Sequence, residues 1–433
     1  MIFAIRDGTI ARNALTLITD SEPTPKEKKK IRWLAYTPPP MAMPLSYDDK
    51  SKWNRWETKP FSGIFFAAVA IDRQIWLGQN NSSEQQVGDL AGFEGGEIRA
   101  FRFGMAGTIN FKKPWIYTFV VVTHAFDKGY DSKNSDKVTL FDYRLDIPLW
   151  ETISLSVGKQ KEPISMQRLL LGTQMQMQER SSIVDAVYPV RNVGVAVNGT
   201  GLNQRISWST GLFNDWFDDS QSFKESSNQI VGRITGLALV NDDESNILHL
   251  GLGIRYDDAK EFIRYRASPE FNQSPPFIDT DTINASNTTT FDLEVTWRKG
   301  PFWLSSEYLW HNVGAADYGD PLFNGFFISG SWILTREMRG YNKRNGTIGP
   351  VPVSRSVYQG GPGAWEITAR YSHSNFTDGL VQGGEMDIFS LGLNWWLTPA
   401  FGINLNYRYI LLDRYDVLGR SSGIMGRVVL VLE

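Results

Sequence analysis

The chain has 433 residues, no cysteine, and 44 basic against 47 acidic side chains, for a formal net charge of −3. That composition rules out a disulfide framework, a cysteine-based zinc site and a cysteine nucleophile, and it argues against binding nucleic acid through bulk positive charge. Aromatic residues make up 13% of the chain and apolar residues 42%, beside 39 glycines. The result is a polar chain rich in aromatics, unlike a disordered one.

No apolar stretch reaches the ~18 residues that a membrane-spanning helix needs. The most apolar window, residues 116–125, is interrupted by Thr118, Thr123 and His124. A membrane β-barrel is not excluded, because its strands need only ~9–11 residues and alternate in polarity. Residues 1–14 carry Arg6, Asp7 and Arg12. They lack the apolar run of roughly 7–15 residues that marks a secretory signal. Residues 1–60 contain a charged stretch, EPTPKEKKK at 22–30, and a proline cluster, TPPPMAMP at 37–44. They read as an irregular, partly disordered leader. From Phe61 to Glu433 the texture is uniform, which predicts one large domain.

That domain is a series of period-two stretches. In FDLEVTW at 291–297, Phe291, Leu293, Val295 and Trp297 oppose Asp292, Glu294 and Thr296. The same alternation runs through RNVGVAVN at 191–198, WEITARY at 365–371 and FGINLNYRY at 401–409. Strict alternation means strands with one apolar and one polar face. Sixteen such segments are expected, near 61–77, 96–110, 113–126, 137–149, 151–161, 190–201, 204–216, 228–240, 245–266, 288–298, 301–313, 322–337, 362–374, 384–397, 401–414 and 422–433. Short turns (297–301, 397–401) alternate with long polar connections (127–136, 267–287, 338–361). Short turns at one end and long loops at the other are a feature of outer-membrane barrels.

Two readings of the faces stay open. In a secreted β-sandwich or solenoid the apolar face packs inward; in a membrane barrel it meets lipid and the polar face lines the lumen. The aromatics at segment ends, Trp76, Trp150, Trp297, Trp310, Trp395, Tyr407 and Tyr409, fit an interfacial girdle and favour the barrel.

Several stretches carry a family resemblance: VGKQKEP at 157–163, ERSS at 179–182, RNVGV at 191–195, GFFISGSWILT at 325–335 followed by Arg336 and Glu337, GAWEITARYS at 363–372 and LGLNWWL at 391–397. In this order and spacing, over roughly residues 61–433, the chain resembles the phosphate-selective porin O/P family of Gram-negative outer membranes. The resemblance implies an all-β fold, a 16-stranded antiparallel transmembrane β-barrel in outer-membrane lipid, assembled as a homotrimer. It also implies passive diffusion of small solutes or anions such as phosphate through a water-filled pore, with a long loop, about residues 162–189, folded inward as a constriction. Read from the residues, 166–178 (MQRLLLGTQMQMQ) breaks the period-two pattern, and its apolar side chains suit packing against an inner wall. The family's loop typically carries a lysine before its Glu-Arg-Ser stretch; here Leu171, Gly172 and Thr173 stand at that place and no lysine occurs between Glu162 and Pro189.

The candidate pore and anion-binding residues are Arg99, Arg102, Arg144, Arg168, Arg180, Arg370 and Arg408. Arg99 and Arg102 resemble the family's basic positions at the start of its second strand. Arg168 and Arg180 are the loop's cations, and Arg144, Arg370 and Arg408 share the polar strand faces. A guanidinium stays charged at any working pH and attracts anions; the alternative use of each is an ion pair that braces the wall. Inward-facing charges from alternation are Arg102, Arg144, Arg233, Arg255, Arg370, Arg408 and Arg427 against Asp142, Asp146, Asp292, Glu294, Glu307 and Glu366, so the wall is expected to be nearly balanced. His124, His249, His311 and His373 have no metal-ligand spacing, and no nucleophile elbow or phosphate-cradling loop occurs. No catalytic residue, metal or cofactor is expected. Trp303 and Trp396 fall on the lumen face, as anchors for the inward loop or as a stacking path for sugars. Two alternatives to a general porin remain: a channel for one organic solute such as a sugar or aromatic acid, and a soluble, secreted β-rich carbohydrate-binding protein or hydrolase.

Overall fold

The computed structural model describes residues 54–123, 138–214, 228–259 and 261–432. Sixteen long strands form one sheet. They are β1 (Phe61–Gln79), β2 (Gly95–Ile109), β3 (Trp115–Thr123), β4 (Thr139–Pro148), β5 (Ile153–Gln160), β6 (Asn192–Gly201), β7 (Ile206–Asn214) and β8 (Asn228–Val240). The second half is β9 (Asn246–Asp258), β10 (Asn287–Lys299), β11 (Phe302–Gly314), β12 (Leu322–Ile333), β13 (Ala364–Asp378), β14 (Val381–Thr398), β15 (Phe401–Arg414) and β16 (Val417–Leu432). Each strand pairs antiparallel with the next, and β16 pairs with β1 from Ala67↔Leu432 to Gln79↔Ser421. The sheet therefore closes into a barrel, in which the ladder satisfies the strand backbones without help from water. A three-residue strand, Arg55–Glu57, pairs with Ile64–Ser62 of β1 beyond the point where β16 ends, and so covers the edge that β16 leaves.

All sixteen expected segments are strands. Two boundaries missed their mark most: the ninth strand ends at Asp258, not near 266, and the last begins at Val417, not near 422. Tyr415 and Asp416 both adopt φ of 57° and make a two-residue turn between β15 and β16. The left-handed pair is the geometry such hairpins need, but Tyr-Asp lacks the Asn-Gly signature that would announce it.

The faces decide between the two readings of the alternation. Outward residues are large and apolar all around the barrel, among them Phe103, Leu212, Leu252, Leu293, Leu304, Ile367, Leu391 and Leu405, with Leu252 55% and Leu391 62% exposed. Inward residues on the same strands are Arg, Glu, Asp, Thr and Ser, most of them buried. A belt of this extent on a water-soluble protein would be an aggregation surface; on a barrel it is the lipid-facing band. The soluble β-rich alternative is set aside by this inversion.

Three corrections concern placement. Trp76 is not part of an outer girdle: it points inward, buried, against Phe271 and Phe277 at ring distances of 4.9 and 6.1 Å. The long connection expected to emerge with the other long loops, residues 334–363, joins β12 to β13 at the end of the barrel where the short turns lie. Length was read from the residues, but the end a connection leaves from follows from strand parity. Finally, two bulges change which side chains face the lumen. The register shifts between Ala70 and Ile71 opposite Ala100 and Ile98, leaving Arg99 as the extra residue on β2. A second shift leaves Phe141 as the extra residue on β4. Each bulge breaks the alternation, so Arg99 and Phe141 are buried, Arg99 beside buried Ala100 and Phe141 beside half-buried Asp142. His124 lies outside the described residues.

The closed ladder makes a direct prediction. Unheated in SDS, the refolded protein migrates faster on a gel than the same sample after boiling; identical mobilities would mean that the sheet is not a closed barrel.

Candidate functional site

Among the described residues, three long connections turn back into the lumen. The first, residues 161–191, links β5 to β6 and contains one-turn helices Met166–Leu169 and Ser182–Val187. Its apolar side chains, Ile164, Ile183, Val184 and Val187, pack with Phe271, Phe323, Phe327 and Met425 in one core inside the barrel. Polar contacts pin it to the opposite wall. The Ser165 hydroxyl donates to Glu307 Oε2 at 2.5 Å, and the Gln167 amide to Glu307 Oε1 at 2.7 Å. Gln178 Nε2 donates to the carbonyls of Asn404 (3.0 Å) and Met425 (2.8 Å), crossing to β15 and β16.

The second connection, residues 259–286, brings in Glu270. Its carboxylate pairs with Arg370, accepts from the Ser372 hydroxyl at 2.6 Å and lies 3.8 Å from Arg408 Nε. The third is 334–363. Arg339 binds both oxygens of Glu366 (2.8–3.2 Å), donates to the Gln174 carbonyl at 2.9 Å, and lies over the Trp303 ring at 4.9 Å. Arg233 clamps Glu294 at 2.6 and 2.7 Å and donates to the carbonyls of Asn345 and Gly346. Ile348 completes an apolar contact with Met166, Leu170, Met175 and Trp303, so the first and third connections meet in the lumen.

The seven candidate arginines separate into two groups. Arg99 is buried and binds Glu179 through two bonds of 3.1 and 3.0 Å. Glu179 also receives Arg427, which in turn holds Asp72 at 2.7 and 2.6 Å. Burial alone would raise the Glu179 carboxyl; Arg99 and Arg427 outweigh it and hold the group well below the usual carboxylate range. Arg168 is buried against Asp185 at 3.0 Å. Arg370 and Arg408 face inward as expected, but they are buried under Glu270, and Arg408 is stacked on Phe271 at 4.6 Å. These four arginines brace the inward connections. Arg180, half-buried, donates to the carbonyls of Gln167 and Leu170; burial and then Arg168 push its guanidinium down to about 10.

Arg102 and Arg144 line an open cavity of about 760 Å³ in the part of the lumen facing the short turns. With them stand three side chains that reading from 162 onward missed or left aside: Lys161, one residue before the loop, Arg191, just before β6, and Arg344. Lys161 Nζ donates to the carbonyls of Leu169 and Leu170 at 2.9 and 2.7 Å. Burial first, then Arg180 and Arg191, lower its pKa well below 10.5. Two guanidiniums lie over the Phe141 ring, Arg191 at 4.1 Å and Arg102 at 4.6 Å, and Arg191 also holds Asp142 at 2.6 Å. The cation–π geometry depends on the β4 bulge, which no spacing rule reveals.

The expected charge balance needs correcting as well. Among the described residues, eight basic and three acidic ones line the cavity. The remaining inward carboxylates, Asp292, Glu294, Glu307 and Glu366, are buried beneath the inward connections. Trp303 and Trp396 point inward, buried, but both are covered, Trp303 by Arg339 and Trp396 by Val351 and Val353. They anchor the third connection and offer no continuous stacking path. On the outer face, cross-strand register sets His373 beside Asp387, 2.9 Å away, with Glu385 at 4.0 Å and the Tyr371 hydroxyl on the same Asp387 oxygen at 2.7 Å. Among the described residues this is the one group whose side chains converge as metal ligands could, and its hydrogen bonds account for it.

The Glu179 junction yields a stability prediction. Glu179→Gln leaves Arg99 and Arg427 buried beside a neutral group, at a cost of about 3–5 kcal/mol for a broken buried pair. The temperature at which the folded gel band is lost is expected to fall accordingly; an unchanged temperature would show that the junction does not hold the loop.

Comparison with known proteins agrees with this architecture. A family model described as phosphate-selective porin O and P matches residues 69–413. An uncharacterized protein of Caulobacter vibrioides is 25% identical over 397 residues, covering 86% of this chain and 74% of that one. Among solved structures, OprB of Pseudomonas putida superposes with a TM-score of 0.54 at 10% identity, over 86% of this chain and 94% of that one. The anion-selective porin of Comamonas acidovorans gives 0.52 at 12%, over 86% and 100%. A trimer form of OmpT from Vibrio cholerae gives 0.50 at 8%, over 86% and 100%. At these identities the structures speak to the fold alone, while the family match spans most of the barrel. The chain belongs to the phosphate-selective porin O and P family.

Proposed function

We propose that the protein is a porin of the Gram-negative outer membrane, assembled as a homotrimer, through which small hydrophilic solutes diffuse passively with a bias toward anions, phosphate among them. The observation that carries the bias is the sorting of charge inside the barrel. Asp292, Glu307 and Glu366 are taken up by groups of the inward connections and Glu294 by Arg233 of β8, whereas Arg102, Arg144, Lys161 and Arg191 stand at the open cavity. A cluster of one sign between low-dielectric walls raises the local concentration of the opposite ion. The inward connections supply the sieve. Family membership supports the trimer, and the trimeric OmpT structure shows that a barrel of this fold can assemble so.

Reversal potential in a planar bilayer under a salt gradient tests the bias. An anionic sign is expected, with phosphate at low concentration blocking chloride current. Arg102→Glu, which replaces a positive by a negative charge at the cavity, should lower the chloride-to-potassium permeability ratio several-fold. A cationic sign in the parent protein would end the anion reading while leaving a general porin.

The lysine gives the bias a pH dependence. Lys161 is charged below its lowered pKa and neutral above it. The charged groups around it are Asp142, Arg168, Arg180 and Arg191. Anion preference is therefore expected to weaken as pH rises through the lowered pKa of Lys161, read below the value of about 10 at which Arg180 itself titrates. Lys161→Arg should hold the preference constant over the same range. Identical pH profiles for the two proteins would remove Lys161 from the selectivity mechanism.

A further inference from the structure

The cavity has a second property that its charges do not explain. A water-filled lumen is lined with polar side chains, yet the inward positions of β1 and β2 beside the cations are alanines: Ala68, Ala70, Ala100 and Ala106. Ala68 pairs directly with Arg102 across the two strands. Facing them from the inward loop are Leu171, Met175 and Met177. The small side chains leave room, and the larger ones supply an apolar surface opposite. At about 760 Å³ the space falls within the range of ligand pockets, which are mostly apolar with a few convergent polar groups.

An inorganic anion takes hydrogen bonds on every side, and the alanine wall has none to give. A carboxylate attached to an apolar body can use both surfaces. Its charged end meets Lys161, two of whose three donors go to the Leu169 and Leu170 carbonyls, and the guanidiniums of Arg102 and Arg191 beside it. Its body lies along the alanines. We infer that this cavity is a binding site for amphipathic organic monoanions, aryl or branched alkyl carboxylates, in preference to inorganic phosphate. The inference rests on the porin reading and names the solute class that the same lumen selects.

Block of chloride current by acetate, benzoate and phosphate, through the purified full-length protein in a planar bilayer, tests it. Acetate and benzoate carry the same charge and differ in apolar area. Burying most of a phenyl group against the wall should make benzoate half-saturate at a concentration roughly tenfold lower than acetate. Ala68→Asn, which puts a polar group on the wall and touches no charge, should bring that ratio toward one. Lys161→Gln should weaken block by both acids. Equal block by acetate and benzoate, or block by phosphate at a lower concentration than benzoate, would overturn the assignment and leave a porin selecting by charge. Absence of any conductance would overturn the porin reading and this inference with it.

Discussion

The structure hangs on one arginine. Arg427 of β16 holds Asp72 of β1 through Nε and Nη2, and the same Nη2 reaches Glu179 of the inward loop, which is held in turn by Arg99 of β2. The first pair spans the seam where the barrel closes, and the second ties the longest inward connection to that seam. Charges in a space this enclosed are tolerable only when paired and hydrogen-bonded. A seam of alternating signs meets that condition, and it fixes where the loop apex sits relative to β1, β2 and β16. Arg427 further donates to the Gln178 carbonyl, so the loop's backbone is held as well as its side chain.

From that anchor the rest of the lumen sorts itself. Once residues 161–191 are in place, Glu307 accepts from Ser165 and Gln167, and Arg339 of the third connection finds the Gln174 carbonyl. Glu270 of the second connection then covers Arg370 and Arg408. Asp292, Glu307 and Glu366 on the β10–β13 side are spent in holding connections, and Glu294 is spent on Arg233 of β8. The cations on the β2–β5 side have fewer acids to meet, and they border open space. The excess of positive charge at the cavity is thus a by-product of how the lumen is packed. A wall count that ignores the loops gives near balance, and only the buried pairing converts balance into an excess.

The alternation of residues such as those in FDLEVTW was enough to place sixteen strands, because a barrel between lipid and water imposes the two-residue period on every one of them. It also placed Arg370, Arg408, Trp303 and Trp396 inside correctly. It could not say whether an inward arginine would meet solvent. Arg370 and Arg408 lie under Glu270, a residue 100 and more positions away in the chain, and no local pattern reports such a partner. Nor could it see bulges, which shift parity by one residue and leave no composition signal. Arg99 and Phe141 owe their inward positions to them.

The sequence by itself determined the strand number, the apolar outer band, the polar inner face and the loop that breaks the pattern. All of these follow from local periodicity and from the demand that every spanning backbone be hydrogen-bonded. Tertiary structure alone decided the rest: which end residues 334–363 enter from, which arginines are braces, and which cations, Lys161 and Arg191 among them, face the cavity. Those outcomes depend on pairings between side chains far apart in the chain. Their energies are set by mutual burial, and burial does not exist until the barrel has closed around its own loops.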